Sequence, residues 1–212
     1  QPAPVPPPVP EALCLETGGR LAADGTVLED LTAADLVRLV EEVQRLAPQA
    51  AAVNLLFSFR DERFERRIAE ALPPDIFVSR SSEILPEYRE YERGIATWIN
   101  ARVGPLVQGY LQRLRAGLPG AAIAAMQGTG DTLALETAGR HAVRLLLSGP
   151  AGGLAGARFI GAQCGRPRLL SFDMGGTSTD VALIDGDIRL GGEGCIGPYP
   201  VAVPMVDMHT IG

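Results

Sequence analysis

The chain has 212 residues, of which 46% are hydrophobic and 21% are charged, and its formal net charge is −6. This composition can bury a core, which excludes a disordered chain, and the negative charge argues against a partner held mainly through nucleic-acid phosphates. No stretch approaches 18 uninterrupted apolar residues, so the sequence predicts no membrane span. Three dispersed cysteines suit a reducing compartment, so we expect a cytoplasmic protein.

The beginning of the chain differs in composition from the rest. Residues 1–10 are rich in proline and carry no charge, so we expect an extended linker there. Because the sequence begins Gln-Pro-Ala-Pro without an initiator methionine, we expect the chain to be a piece of a longer protein.

The next predicted elements alternate between strands and helices. An Asp24-Gly25 turn between two short apolar runs indicates a hairpin. Thr32 followed by Asp35 resembles a capping box that opens a helix. The apolar run over 51–57 has the length of a buried parallel strand, and a second helix is expected over about 61–72.

The following segments continue this alternation. A strand is predicted over 76–79 and a long helix from about 86 to 116, in which Pro105 should kink or break the helix. The charged residues at the start of this helix, Arg93 among them, are typical of a solvated helical face. A further buried strand is predicted over 121–126. The pattern favours an α/β architecture with parallel strand pairs.

The strongest chemical signal lies between Leu169 and Ile188. This run predicts a strand, a tight Gly-Gly turn, a second strand, an Asp-Gly turn and a third strand. A Gly-Gly tip leaves backbone N–H groups free and neighbouring hydroxyls add donors, which suits a phosphate. Asp173 is placed to hold a divalent metal, and Asp180 can hydrogen-bond across the loop. The alternative is an ordinary hairpin whose glycines satisfy the turn.

A second glycine-rich run, Ser148–Gly153, precedes a predicted helix. Through Gly149, Gly152 and Gly153 it would present free N–H groups and the positive end of a helix dipole to an anion. The alternative is a close contact between helix and sheet that only glycine permits.

Asp207 and His209 are two residues apart, so on one strand they would point to the same side. A carboxylate and an imidazole on one face can bind a metal or act as a base and its orienting partner. A hydrogen-bonded structural pair is the alternative.

Six segments together resemble the hydantoinase/oxoprolinase family, within the actin, hsp70 and sugar-kinase superfold. They occur in the family's order, and the resemblance covers about residues 20–212. In it, Asp173-Met-Gly-Gly-Thr-Ser-Thr-Asp180 is the phosphate-loop motif. The segments are 58–60, 81–87, 89–93, 147–153, 173–180 and 203–212.

The resemblance implies a ribonuclease-H-like, actin-like ATPase architecture, with a mixed sheet and flanking helices, that is incomplete in this chain. After the linker at 1–10, residues 11–93 would end the first actin-like half. Residues 94–212 would begin the second half, with the phosphate-loop hairpin, and would be truncated. The similar loop of the first half does not occur in this sequence.

The implied activity is ATP-dependent hydrolysis of a cyclic amide of the hydantoin or 5-oxoproline type. Phosphoryl transfer activates the carbonyl oxygen, and water then opens the ring. ATP and Mg²⁺ are the implied cofactors, and Asp173 is the candidate catalytic residue. Together with the patterns above, the candidate nucleotide-binding residues are Asp173, Gly175, Gly176, Thr177, Ser178, Thr179, Asp180, Gly149, Gly152 and Gly153. The candidate metal ligands are Asp173, Asp207 and His209.

The implied partners are a small cyclic amide or ketone substrate and a hydantoinase-B-like subunit or domain, with no nucleic acid and no membrane. Because the first-half loop is missing, we expect this chain alone to be inactive. The alternative function is a non-catalytic scaffold or partner-docking module of a hydantoinase or acetone-carboxylase-type complex.

Overall fold

The structure is a computed structural model that describes residues 6–192 and 194–212. The contacts divide the chain into two compact units. The first comprises the described residues up to Leu106 together with Cys195–Ala202, and the second comprises Val107–Gly194 and Val203–Gly212. The assignment of 11–93 and 94–212 to two actin-like halves stays a prediction. Of the predicted linker, residues 1–5 lie outside the described ranges.

The first unit begins with a short 3₁₀ turn and continues with alternating strands and helices, as predicted. The Asp24-Gly25 hairpin forms, with Gly25 at a φ of 89°. The helices are α1 (Ala33–Leu46), α2 (Arg63–Ala71), α3 (Ser81–Ile84) and α4 (Glu90–Gly117), the last of which continues into the second unit. The strands are β1 (Arg20–Leu21), β2 (Val27–Glu29), β3 (Ala50–Val53) and β4 (Phe77–Arg80).

The predicted capping box opens α1. The Asp35 N–H donates to the Thr32 hydroxyl at 3.1 Å, and the Thr32 N–H donates to the Asp35 carboxylate at 3.0 Å. Two otherwise unsatisfied backbone donors are thereby paired. At the other end, Ala47 adopts the left-handed conformation and Pro48 follows it.

Strands β3 and β4 pair in parallel, as the sequence predicts, from Ala50 opposite Phe77 to Val53 opposite Arg80. Helix α2 connects them, so this is a βαβ unit. Its apolar face is buried against the strands and α1. The core residues are Leu21, Leu31, Val43, Val53, Phe64, Ile68 and Leu72.

Helix α4 begins at Glu90 and not, as predicted from the sequence, near residue 86. It passes through Pro105 without a break, and the kink expected there stays a prediction. A proline removes one backbone hydrogen bond from a helix. Buried side chains on both sides, Ile95, Ile99 and Leu111, hold the helix by packing, which outweighs that loss.

The prediction that Arg93 lies on a solvated helical face is wrong. Arg93 is fully buried, and its guanidinium donates to the Ser58 hydroxyl at 2.8 Å and to the Leu55 carbonyl at 3.0 Å. The Ser81 hydroxyl contacts that of Ser58 at 3.0 Å and donates to the buried Glu65 carboxylate at 2.6 Å. The loop after β3 and helices α2, α3 and α4 therefore meet in one buried polar cluster, Ser58, Glu65, Ser81 and Arg93.

The second unit contains a sheet in the order β14–β8–β7, with β9 also paired to β8. Its strands are antiparallel, unlike β3 and β4. The helices are α5 (Leu135–Arg140) and α6 (Ser148–Gln163), with a 3₁₀ turn at Ala142–Leu145. The strands are β5 (Ala124–Met126), β6 (Thr132–Ala134), β7 (Arg168–Met174), β8 (Thr179–Asp185), β9 (Asp187–Ile188), β10 (Leu190–Gly191), β13 (Met205–Val206) and β14 (His209–Ile211). The paired strands β11 (Gly194–Ile196) and β12 (Tyr199–Val201) lie between β10 and β13 in the sequence.

Helix α6 packs on one face of this sheet. Its Ala151 and Leu154 are buried with Ala182 and Ile184 of β8 and with Val206. Arg158 of α6 also pairs with Asp187 of β9, and this guanidinium lowers the pKa of Asp187. Apolar packing thus holds the helix on the hairpin β7–β8, while the exposed Arg158–Asp187 pair to β9 adds little.

The prediction of a buried strand over 121–126 is wrong in its environment. Strand β5 exists, but it forms a short antiparallel hairpin with β6, and none of its three residues is buried. Alanine-rich runs are apolar on every face, so their pattern cannot distinguish a buried strand from a hairpin at the surface. The overall architecture is nevertheless mixed α/β, as expected. Within 6–192 and 194–212, every helix is too short or too polar to cross a membrane.

Candidate functional site

A cavity of about 180 Å³ lies in the second unit, between the β7–β8 hairpin and the first two turns of α6. Two of the predicted phosphate-loop residues and one of the predicted helix glycines border it. Its lining residues are Pro150, Gly153, Leu154, Ser171, Phe172, Asp173, Asp180, Ala182 and Met208.

The two carboxylates of the motif face this cavity together. Asp173 of β7 lies directly opposite Asp180 of β8 in the sheet register. Side chains of such a pair stand about 4.5–5.5 Å apart at Cβ, and like charges at that distance repel each other. A bound cation would relieve this repulsion, and oxygen ligands of this kind suit Mg²⁺.

Asp180 has a different hydrogen-bond partner from the one predicted. The sequence predicts that Asp180 bonds across the loop. In the structure its Oδ1 instead accepts a hydrogen bond from the Thr210 hydroxyl of β14, at 2.7 Å. The loop is closed instead by its own backbone, where the Gly175 N–H donates to the Ser178 carbonyl at 2.9 Å. Thr177 is exposed and Ser178 is half-buried in the turn, while Thr179 begins β8.

The glycines of the turn are not required by its backbone. Neither Gly175 nor Gly176 has a positive φ. A Cβ at Gly175 would lie 3.5 Å from the Ser178 carbonyl oxygen, an ordinary contact, and one at Gly176 would meet no described atom within 4 Å. The structure therefore does not support the alternative in which these glycines satisfy the turn. They leave open space beside backbone N–H groups.

The second glycine run is predicted as a turn before a helix, but the structure has its glycines inside the helix. Helix α6 begins at Ser148, after Leu147 in the left-handed conformation with a φ of 56°. The N–H groups of Ser148 and Gly149 fall in the first turn, where a helix offers them no acceptor. Pro150 follows them, where its missing N–H costs the helix nothing. The positive end of the helix dipole thus lies beside the cavity.

Close packing against the sheet does not explain these helix glycines. A Cβ at Gly149 or Gly153 would meet no described atom within 4 Å. A Cβ at Gly152 would lie 3.6 Å from Met126 Cγ, which is an ordinary van der Waals distance. The structure therefore excludes the alternative, a helix–sheet contact so close that only glycine fits.

Asp207 and His209 do not share one strand. Asp207 lies between β13 and β14, and its N–H donates to the Arg189 carbonyl at 2.8 Å. His209 is opposite Val181, whereas its neighbour Thr210 is opposite Asp180. Alternation therefore places His209 on the sheet face opposite to Asp173 and Asp180. In the described part of the chain, no three His, Cys, Asp or Glu side chains gather as a metal site.

A larger cavity of about 660 Å³ lies in the first unit, beside β3. Its walls come mainly from apolar residues of α1, β3 and α4, and it contains no residue of the predicted site. Arg102 is the charged residue in its lining, and its guanidinium lies over the Trp98 ring at 6.0 Å. The smaller cavity, with its two carboxylates and helix end, has the groups needed for phosphate and metal chemistry.

Comparison with known proteins gives a consistent result. A model of the hydantoinase/oxoprolinase family matches residues 93–212. The caprolactamase subunit alpha of Pseudomonas jessenii is 29% identical over 214 residues, covering 96% of this chain and 30% of that protein. The 5-oxoprolinase 1 of Arabidopsis thaliana is 34% identical over 140 residues, covering 63% of this chain and 11% of that protein.

The fold is also similar to a solved structure. The crystal structure of the ATP-dependent caprolactamase from Pseudomonas jessenii superposes with a TM-score of 0.82 at 27% identity, over 96% of this chain and 31% of that one. The chain thus spans less than a third of the length of each of these relatives.

Proposed function

Because the chain belongs to the hydantoinase/oxoprolinase family, we propose that its β7–β8 turn is a phosphate loop for ATP in a protein that hydrolyses a cyclic amide. The chain would contribute the second-half loop of an actin-like ATPase fold. The observation that carries the proposal is the cavity that Asp173, Asp180 and Gly153 border together, beside the start of α6. A Cβ at Gly153 would meet no described atom, so this glycine leaves the cavity open.

The residues around the cavity have complementary roles in this proposal. The backbone N–H groups of the turn and of Ser148 and Gly149 would donate to phosphate oxygens, as helix starts and glycine turns do. The hydroxyls of the segment 177–179 would add further donors. Asp173 would hold Mg²⁺, with Asp180 opposite it. Magnesium is commonly bound by one or two carboxylates together with substrate phosphates, so this pair fits the ion without a third protein ligand.

In the overall reaction, ATP, two waters and the cyclic amide would give ADP, phosphate and the ring-opened acid. ATP supplies the phosphoryl group that activates the carbonyl oxygen. The task of this chain is to position the phosphates and to stabilise their charge, since phosphoryl transfer leaves the protein little covalent chemistry. We also propose a partner subunit of the hydantoinase-B type, because the caprolactamase relative is itself named as a subunit.

Calorimetric titration with Mg-ATP tests the phosphate loop. Three proteins are compared: the unchanged chain, Asp173→Asn, and Asp185→Asn, which alters an exposed carboxylate on the same hairpin outside the cavity. We expect measurable binding by the unchanged chain and by Asp185→Asn, and an affinity at least about tenfold lower for Asp173→Asn. Equal affinity of the two variants, or no binding by any protein at millimolar nucleotide, would contradict the proposal and favour the docking alternative.

A further inference from the structure

Three polar residues lie in a row across the sheet of the second unit. Asp173 of β7 is opposite Asp180 of β8, and Asp180 is opposite Thr210 of β14. Residues that are directly paired on neighbouring strands place their side chains on the same face of a sheet. Thr210 therefore lies on the same side of the sheet as the two carboxylates that border the cavity.

The Thr210 hydroxyl donates to Asp180 Oδ1 at 2.7 Å. The terminal torsion of an aspartate side chain is broad, so a carboxylate without such a contact samples many orientations. A hydrogen bond at Oδ1 restricts this torsion without occupying Oδ2. The contact thus holds Asp180 in one orientation while its second oxygen can still face the cavity.

This donor orients Asp180 without adding a charge. An arginine in the same place would also hold the carboxylate, but its positive charge would repel a cation from the pair. Within residues 6–192 and 194–212, no cationic side chain forms an ion pair with Asp173 or Asp180. The negative charge of the two carboxylates therefore stays available to a metal ion.

Strand β14 follows the hairpin as far as its turn, which fixes the backbone that carries Thr210. Ile211 is opposite Thr179, the first residue of β8. A Cβ at Gly212 would lie 3.2 Å from the Thr177 carbonyl oxygen. The hydroxyl of Thr210 is thus presented to Asp180 from a strand that contacts the proposed phosphate loop on both sides of this residue pair.

We propose that Thr210 is a positioning residue for metal binding, whose hydroxyl holds the Asp180 carboxylate toward a divalent cation shared with Asp173. The inference rests on the proposed function, which assigns these carboxylates to Mg²⁺. Carboxylates that bind a metal are themselves held by hydrogen bonds from surrounding groups, and the loss of such a group weakens metal binding. Thr210 is such a group from a third strand.

Binding of Mn²⁺ in the absence of nucleotide, followed by electron paramagnetic resonance of the free ion, tests this role. Mn²⁺ prefers the same carboxylate and water ligands as Mg²⁺. Thr210→Val removes the hydroxyl but keeps a β-branched side chain, whereas Thr210→Ser keeps the hydroxyl. The matched control is Thr26→Val, which removes a bond of the same kind and length, 2.7 Å from the Thr26 hydroxyl to Asp24 in the first unit.

We expect the unchanged chain, Thr210→Ser and Thr26→Val to bind Mn²⁺ with equal affinity, and Thr210→Val to bind it about tenfold more weakly. When Asp180 is already replaced by Asn, Thr210→Val should cause no further loss, because the hydroxyl acts through that carboxylate. Thr210 is exposed, so its variants should unfold at the same urea concentration as the unchanged chain.

Equal Mn²⁺ affinity of Thr210→Val and the unchanged chain would overturn this role and leave the phosphate loop to the titration with Mg-ATP. A further loss from Thr210→Val beside Asp180→Asn would also overturn it, because Thr210 would then act independently. So would the absence of Mn²⁺ binding by the unchanged chain at millimolar metal. The expected Mn²⁺ pattern in a chain that does not bind ATP would support the role of Thr210 and contradict only the phosphate loop.

Discussion

Single glycine residues in this chain serve two distinct purposes. A Cβ at Gly104 would lie 2.2 Å from the Phe77 ring, and one at Gly161 would lie 2.6 Å from Leu169, so packing requires both glycines. Gly153 and Gly176 meet no described atom within 4 Å. Glycines elsewhere, such as Gly156, are also of this second kind. Gly149, Gly153 and Gly176 are the ones in the proposed phosphate site, where the room lets a ligand approach the backbone.

Filling that room should weaken nucleotide binding without harming the fold. In Gly153→Leu the new side chain occupies the cavity and replaces the space proposed for phosphate. We expect the affinity for Mg-ATP to fall by about tenfold or more in a calorimetric titration. The control is Gly156→Leu in the same helix, where a Cβ also meets no described atom but which does not line this cavity. Equal affinities for the two variants would remove Gly153 from the site.

Arg93 is the residue whose loss should cost the first unit most stability. Replacement by Met removes the donors to Ser58 and to the Leu55 carbonyl, which stay buried, and leaves the Glu65 carboxylate without a nearby cation. We expect a loss of about 2–4 kcal/mol in the free energy of unfolding, measured in urea. Arg113→Met changes an exposed arginine of the same helix and should stay within about 0.5 kcal/mol of the unchanged chain. Similar losses for both would contradict the role given to the buried cluster.

Such buried polar residues could not be predicted from local sequence. Arg93 stands among Arg89, Glu90 and Glu92, and that composition is typical of a solvated surface. Its burial depends on Ser58, in the loop after β3, and on Ser81, which begins α3 directly after β4. Only the three-dimensional arrangement of β3, β4 and α4 brings these side chains together.

At the scale of elements, the start of α1 gives a prediction about pH. The hydroxyl and backbone N–H of Thr32 hold the pKa of Asp35 below its ordinary value of 3.8. A lowered pKa in the folded state means that the carboxylate stabilises the fold fully above pH 3.8 and loses this effect as the pH falls through the folded pKa. Asp35→Asn should therefore melt at a lower temperature than the unchanged chain at pH 7, and the difference should shrink in acid.

Thermal melts from pH 7 to about pH 3 measure this dependence. Glu41→Gln, an exposed carboxylate on the same helix, serves as the control and should melt like the unchanged chain at neutral pH. A melting difference for Asp35→Asn that persists unchanged at the lowest pH would show that the charge is not what stabilises the helix start.

The packing of α4 on β4 gives a second prediction at this scale. Gly104→Ala places a methyl group into the Phe77 ring, and we expect a loss of about 1–3 kcal/mol in unfolding free energy despite the better helix propensity of alanine. Gly109→Ala in the same helix would meet only the end of Arg113 at 3.5 Å, so it should gain up to about 1 kcal/mol. Urea denaturation of both variants measures the change in unfolding free energy. If Gly104→Ala stabilised the chain, the close contact between Gly104 and the Phe77 ring would be contradicted.

The sequence predicted those elements that have local chemical signals. The Asp24-Gly25 hairpin, the Thr32–Asp35 capping box and the strands of the β7–β8 motif were all confirmed. The errors concern tertiary context. Packing carries α4 through Pro105, and α6 begins earlier than its apolar residues indicate, at the Ser148 end of a glycine run. The sequence pattern shows which residues are apolar, but not which other segments pack against them in the fold.

The whole molecule consists of two compact units, and it spans less than a third of the length of each relative compared with it. The sequence predicted the family and the position of the candidate phosphate loop. It did not predict that the helix start beginning at Ser148 and the carboxylates of Asp173 and Asp180 would border the same cavity. These groups meet because α6 packs across the β7–β8 hairpin, and local sequence patterns do not reveal such contacts between separate segments.

Amide hydrogen exchange with and without Mg-ATP tests most directly whether this cavity is a phosphate site. We expect slower exchange in two places at once, the turn over 175–179 and the amides of Ser148 and Gly149, with no change in α1. Protection of the turn alone would contradict the part assigned to the helix start. No protection at either place, under conditions in which nucleotide binds, would contradict the phosphate site as a whole.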